Sequence, residues 1–350
     1  MIKKQNYLKH AIVLFLLLLL MQPERAWAAY ENVEFSSLTN HDGLTNSQVG
    51  AILKDTRGYI WFGTQSGLCR FDGFRMKTFY YINTDDKSLP NNSVDELQQD
   101  YGGNIWVHTS VGYCIYKYDE EQFERKPEEW LKNIHVQGPP YKLLIDKDKN
   151  MWIAVYGQGL YYHNAKTKNT YLFKFTKKAQ PGCLKEGNIS KITEVDGDAL
   201  ITYGDGTICR VNGQKQKVLW YNSFLATHKA AGDNGAYTFY DGIGGFWVSV
   251  SNANYVYQSK TGKWTDARSY LTNMGIDIPC PTRILMRDIA RDKAGNLWVA
   301  SDHNGLFFVD FKRKICRQYV HSEAKGSIVD NSLQKVYVLS LIHISEPTRL

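Results

Sequence analysis

The sequence predicts an all-β fold, a β-propeller of four-stranded antiparallel blades with six blades complete and a seventh truncated. Three observations lead there: one short phrase recurs at blade-length spacing, alternating strands flank each recurrence, and helix-period patterning is missing. The phrase reads Asp55-x-x-Gly58-x-Ile60-Trp61, Asp100-x-x-Gly103-x-Ile105-Trp106, Asp146 to Met151-Trp152, Asp241-x-x-Gly244-x-Phe246-Trp247 and Asp292-x-x-Gly295-x-Leu297-Trp298. A degenerate copy ends at Gly197-x-Ala199-Leu200, with Leu200 in place of Trp. From Trp61 through Leu200 to Trp298 the aligned positions lie about 45 to 51 residues apart, the length of a propeller blade.

Each period has the same anatomy. An alternating strand, such as Val49 to Lys54 or Leu285 to Ala290, runs into the Asp-x-x-Gly turn, where the Asp oxygen can cap backbone and Gly can take positive φ. The chain reverses into the strand bearing Trp. A polar turn ending in Gly67, Gly112, Gly159, Gly206 or Gly305 leads to a third strand, for example Leu68 to Phe71 or Leu306 to Asp310. A fourth, aromatic strand closes the period, as at Met76 to Tyr81 or Thr170 to Phe175. One such sheet buries too little to stand alone, so a large flat indole at a fixed position is expected to fill the gap between neighbours.

The ends are read against this period. Val33-x-Phe35 and Gly43 to Ser47 parallel the passage from Phe79 to Ser93, so the N-terminus is expected to supply an outer strand to the last blade and close the ring. A seventh repeat opens at Lys325-Gly326-Ser327 and is expected to form a strand through Val338. Leu339 to Leu350 does not continue the repeat and reads as a non-native tail. At the other end, Lys3 and Lys4, an apolar run from Ala11 to Met21 and Ala26-Trp27-Ala28 make a secretory signal peptide over residues 1–28. The run is too short for a membrane span, which needs about 20 apolar residues. The propeller is assigned to residues 29–338 and its place to the outside of the cytoplasm.

Composition narrows the function. Hydrophobic residues make up 43% and aromatics 13%, which suits a large aromatic core. The formal charge is +7, but Lys3, Lys4, Lys9 and Arg25 stand against Glu24 in the leader, leaving +4. With no basic stripe carrying interleaved aromatics, contact with nucleic acid is excluded. The six Cys form no Cys-x-x-Cys and no His pair has ligand spacing, so neither a metal nor another cofactor is expected. Cys69 and Cys114 occupy equivalent places in successive sheets about 10 Å apart, too far for a bridge, and are read as buried small hydrophobes. Asp146-x-Asp148-x-Asn150 mimics the start of a calcium loop, but Met151 and Gly157 stand where Gly and Glu are required.

In antiparallel blades, the turns between second and third strands open on the same face as the connections between blades. That face is where a ligand is expected, with Gln65, His108, Tyr156, Gln158, Tyr203, Asp205, Asn252, Asp302, His303 and Asn304 as candidates. They combine hydrogen-bonding groups with aromatic platforms, which is what sugars require. Two rival readings are a protein-interaction scaffold and a glycan hydrolase or lyase. The scaffold lacks the Trp-Asp and Gly-His signature. The sialidase-type Asp-box places Gly two and Trp five residues after Asp, whereas the offsets here are three and six, and no arginine trio with a Tyr and Glu pair accompanies them.

The phrase Asp55 to Leu68, with Gly43-Leu44-Thr45-Asn46-Ser47-x-Val49 before it and Arg70-Phe71-Asp72-Gly73-Phe74 after it, resembles the regulator-propeller repeat of hybrid two-component sensors. The resemblance runs from about Phe35 to Val338, although the fourth repeat lacks Asp and Trp, and His108 and Ala154 replace the Gly of Trp-x-Gly. It implies a longer protein with two periplasmic propellers, an immunoglobulin-like domain, one membrane helix, a histidine kinase, a receiver and a DNA-binding module. It also implies a dimer that senses breakdown products of polysaccharides. This chain would be the first propeller and would carry no catalysis of its own.

Overall fold

The computed structural model describes residues 33–177, 183–223, 225, 236–250, 253–279 and 284–339. The expected signal peptide, Asn252, Cys280 and all of the expected tail except Leu339 lie outside them. The chain divides into two units, Met1–Ser37 with His321–Val329, and Leu38–Val320 with Asp330–Leu350. In the smaller unit, the Phe35 N–H donates to the Gly326 carbonyl at 2.9 Å, and His321 Nδ1 lies 2.8 Å from the Ile328 carbonyl. The Val33-x-Phe35 segment is not a strand.

The larger unit holds six sheets that follow one another along the chain. Blade 1 is β1 (Val49–Lys54), β2 (Ile60–Thr64), β3 (Gly67–Phe71) and β4 (Met76–Phe79). Blade 2 is β5 (Val94–Gln99), β6 (Ile105–Thr109), β7 (Gly112–Lys117) and β8 (Gln122–Glu124). Blade 3 comprises β9 (Pro140–Ile145), β10 (Met151–Val155), β11 (Gly159–His163) and β12 (Thr170–Thr176), to which β13 (Leu184–Lys185) adds a short parallel edge. Blade 4 has β14 (Ile189–Val195), β15 (Asp198–Tyr203), β16 (Ile208–Asn212) and β17 (Lys217–Asn222). Blade 5 has β18 (Ala236–Tyr240), β19 (Gly245–Val250), β20 (Ala253–Gln258) and β21 (Lys263–Asp266). Blade 6 has β22 (Leu285–Arg291), β23 (Leu297–Asp302), β24 (Leu306–Asp310) and β25 (Ile315–Tyr319).

The recurring Asp does more than cap its turn. In blade 5, Asp241 Oδ1 accepts from the N–H groups of Ile243 and Gly245 at 2.9 and 2.8 Å, while Oδ2 accepts from the Trp247 indole at 3.1 Å. The same carboxylate-to-indole bond joins Asp55 to Trp61 (2.7 Å), Asp100 to Trp106 (3.1 Å) and Asp292 to Trp298 (3.3 Å). The turn and the packing side chain are thereby one unit. Gly58, Gly103, Gly244 and Gly295 all have positive φ as expected, and Lys149 takes that conformation (φ 65°) in blade 3, where Gly is missing. Blade 4 uses a two-residue hairpin, Asp196-Gly197, with positive φ at both positions and Val195 paired to Asp198. Its Asp198 is held instead by Arg210 and Asn212, and Leu200 is fully buried at the Trp position.

Successive blades share apolar clusters. Trp61 packs with Leu97, Val107 and Tyr116 of blade 2, and Trp106 with Leu143 and Ile153 of blade 3. Trp152 packs with Ile192 and Ile201 of blade 4, and Trp247 with Met286 and Val299 of blade 6. Trp61, Trp106 and Trp152 are 0% exposed and Trp247 3%. Trp298 differs: it is half-buried and meets Phe308 and Tyr319 of its own blade.

Two expectations need correction. The strand expected through Val338 is not formed: residues 333–339 have no strand assignment, because an inner strand has no ladder without its hairpin partner. They nevertheless span blade 6 to blade 1. The Leu333 N–H donates to the Ser301 carbonyl at 2.9 Å, and the Lys54 N–H to the Tyr337 hydroxyl at 3.4 Å. Helices also occur between strands, at α1 (Pro127–Lys132), with Pro at its start, and α2 (Ala267–Asn273), where Asp266 caps the Ser269 N–H at 2.9 Å. Each is under two turns, too short for a helical period to register. Among the described residues no helix is long and apolar enough to cross a membrane.

Candidate functional site

The inner strands build the site through a repeated irregularity. Five of them carry a bulge at the same place, so that Gly50, Asp95, Tyr141, Ser190 and Arg287 are skipped in the pairing with the second strand. A bulge breaks the strict alternation of faces and re-aims its residue. Each skipped residue borders an open cavity of about 1030 Å³. The residues that follow, Ala51, Glu96, Lys142, Lys191 and Asp288, line a narrower axial cavity of about 220 Å³, joined there by Lys335. Two consecutive positions of each strand thus serve the axis.

The axial register is charged and mostly paired. Lys142 Nζ lies 2.9 Å from Glu96 Oε1, and Lys335 Nζ 3.8 Å from Asp288 Oδ2. Tyr113 donates to Glu96 at 2.6 Å and accepts from the Leu143 N–H at 3.1 Å; burial and the Glu96 charge push its phenol well above its usual value. Lys191 has no carboxylate partner among the described residues, and its ammonium sits 4.0 Å from the centre of the Phe239 ring. Desolvation pulls it down to about 8. At the bulge register, Asp95 lies 2.5 Å from His108 Nδ1. Burial pushes the Asp95 carboxyl up, but the His108 bond and charge, with Lys142, bring it below its ordinary value. Arg287 pairs with Asp302.

At the mouth, Tyr156 is 68% exposed and stacks on Tyr141 with ring centres 3.9 Å apart and planes 18° apart. Tyr141 is fixed from below, since its hydroxyl accepts from the Ile189 N–H at 3.4 Å. The cavity rim also carries Arg125, whose guanidinium donates to the carbonyls of Asp85 and Ser88 at 2.7 and 3.0 Å. The chemistry on offer is an aromatic face beside fixed charges in an open concavity, an arrangement for binding a polar ligand.

Of the residues expected from sequence, Gln65, His108 and Tyr156 border this cavity. His108 does so from strand β6 and not from a turn. The other candidates are placed elsewhere. Tyr203 is a correction: it ends β15 at 2% exposure, in the place where Thr64, Thr109 and Val155 are buried in their own blades. Asp205 caps the Thr207 N–H at 2.8 Å and pairs with Lys185 at 3.0 Å. Gln158 bridges the Gln137 carbonyl and the Tyr161 hydroxyl. His303 meets Ser332 at 3.0 Å, and the Asn304 carbonyl accepts from Gln318 at 2.9 Å. Asn252 lies outside the described residues. Sequence reasoning missed Glu96, Tyr141, Lys142, Lys191, Asp288 and Lys335. Their signal was a charged or aromatic residue recurring about one repeat apart near the start of each inner strand.

Residues 43–66 match the family model described as two component regulator propeller. Among curated proteins none matches the chain by sequence. Among solved structures, the chain is similar to the extracellular domain of hybrid two component system BT3049 from B. thetaiotaomicron, at 20% identity and a TM-score of 0.62, over 87% of this chain and 39% of that one. It is also similar to the extracellular domain of BT4673 from the same organism, at 17% identity and a TM-score of 0.53, over 83% of this chain and 39% of that one. The WD40 propeller domain of Doa1 is a more distant likeness, at 10% identity and a TM-score of 0.50, with 81% and 85% covered. At these identities the structures speak for the fold, and the chain spans well under half the length of the two bacterial ones. With residues 43–66 matching one two component regulator propeller repeat and an Asp-to-Trp unit recurring in several blades, the chain is a β-propeller that carries a segment of that repeat type.

Proposed function

We propose that this propeller is the ligand-sensing part of an exported two-component sensor and that its ligand is an oligosaccharide taken from a polysaccharide. The observation that carries the reading is the exposed Tyr156 ring stacked on Tyr141 at the rim of a 1030 Å³ cavity whose floor is polar and charged. Sugars present C–H faces to such rings and hydroxyls to such floors. The reading places the domain in the periplasm after removal of residues 1–28, beside a second propeller and ahead of a membrane helix and kinase, in a homodimer. The half-buried Trp298 favours a completed seventh blade, whose inner strand would begin with residues 333–337. Binding is favoured over catalysis because Asp95 and Glu96, the inner-strand carboxylates at the mouth, are each engaged by a basic group or a phenol.

The test is calorimetric titration of the chain with a panel of oligosaccharides, repeated with Tyr156→Ala. Saturable binding that the substitution weakens about tenfold or more supports the reading. Binding indifferent to Tyr156, or no binding to any member of a broad panel, removes it. Reducing-end release by the purified chain would favour a hydrolase instead.

A further inference from the structure

Lys191 has no evident task in the fold. The axial cavity is lined by three ammonium groups (Lys142, Lys191 and Lys335) and three carboxylates (Asp95, Glu96 and Asp288). Glu96 and Asp288 are taken by Lys142 and Lys335, at 2.9 and 3.8 Å. At the bulge register, Asp95 bonds His108 and Arg287 pairs with Asp302. Lys191 borders both the axial cavity and the open mouth, and it sits two residues from Ile189, whose N–H anchors Tyr141. Lys191 is therefore the ammonium of this cavity with no carboxylate in ion-pair reach among the described residues, partly buried and close to the aromatic platform. Burying an unpaired ammonium is unfavourable, and cores do not keep one without use.

We propose that the oligosaccharide is anionic, and that Lys191 receives its carboxylate or sulfate at the axis while a sugar ring lies against Tyr156. This deepens the saccharide reading and rests on it. The anion supplies the missing partner, and Lys142 and Lys335 keep their own carboxylates, so no existing pair has to break. The Phe239 face, 4.0 Å from the ammonium, keeps Lys191 in place while the site is empty.

The experiment titrates the chain with three probes: galactotriose as the neutral sugar, trigalacturonate as the carboxylate arm, and a sulfated chondroitin disaccharide as the sulfate arm. At least one acidic probe is expected to bind about ten- to a hundredfold tighter than the neutral one, the range of a charge-assisted hydrogen bond. In Lys191→Met the ratio of acidic to neutral affinity falls to about one, whereas Lys191→Arg retains the preference and guards against a folding artefact. Equal affinity for neutral and acidic probes overturns the proposal, as does a preference that survives Lys191→Met. If neutral binding then remains sensitive to Tyr156→Ala, the saccharide reading stands without its charge. If no probe binds, both fall.

Discussion

The Asp-to-indole bond can be weighed within the chain, because blades 2 and 3 form a matched pair. Asp100 and Asp146 each accept from an Asn four residues on, Asn104 at 3.0 and 3.2 Å and Asn150 at 2.8 and 3.0 Å. Trp106 and Trp152 are both 0% exposed. Yet the Trp106 indole donates to Asp100 at 3.1 Å, while the Trp152 N–H is buried without a partner. Replacing either by Phe removes the same slice of indole, a cavity term of about 1–2 kcal/mol common to both. Trp106→Phe also loses a hydrogen bond to a carboxylate, about 1.5–3 kcal/mol. Trp152→Phe instead relieves an unsatisfied N–H, a burial that costs about 1–3 kcal/mol. Trp106→Phe should therefore destabilise by at least about 1.5 kcal/mol more, read from urea unfolding at unchanged m-value. Equal losses, or a larger loss at Trp152, would refute the view that the repeating Asp matters through its indole bond.

Further expectations follow from the same geometry. Lys191 is pulled down to about 8 in the fold from 10.5 in a free chain, chiefly by desolvation, with Asp288 and Glu96 opposing it and Lys335 and Lys142 adding to it. The unfolded state therefore binds more protons between those values, and this group's contribution to stability rises with pH across that window. Lys191→Met should flatten that part of the stability profile, by less than about 1.4 kcal/mol per pH unit because the side chain is partly exposed. Affinity for an acidic probe should fall as pH passes about 8. Tyr156→Ala should leave the melting temperature within about 2 °C of wild type, since a surface side chain contributes little to stability. Cys69, Cys114 and Cys209 are unpaired and buried, so a thiol reagent should label them only on unfolding, and a reductant should not shift the melting temperature.

The blade architecture was legible because period-2 alternation and turn chemistry are local. Val49–Lys54 and Leu306–Asp310 form at the bounds that alternation assigns, and each Gly of the Asp-x-x-Gly turns takes the positive φ asked of it. Packing of the indoles between neighbours followed from the same repeat, down to Leu200 in the one blade whose second strand lacks Trp. The site was only partly legible. Tyr156 and Gln65 lie in turns, where loop position alone suggests exposure. Tyr141 and Arg287 reach the mouth through bulges, which are properties of pairing between strands and leave no mark in a single strand's pattern. Tyr203 was misplaced because it was read as part of the turn, whereas it ends its strand six residues after Gly197, at the same buried place that Thr64 holds six residues after Gly58. The axial charges were hidden for another reason. A Lys or Glu in an inner strand reads as a solvated side chain until the axis is known to be shared by several blades.

Hydrogen exchange of the chain with and without a bound oligosaccharide tests the central claim most directly. Slowed exchange is expected at Thr64–Gly67, at Thr109–Gly112, at Tyr141 and Lys142 and across residues 155–158, in the segments that carry the mouth residues. Protection confined to the Asp55–Tyr59 and Asp100–Asn104 turns, at the opposite ends of the same strands, would contradict it.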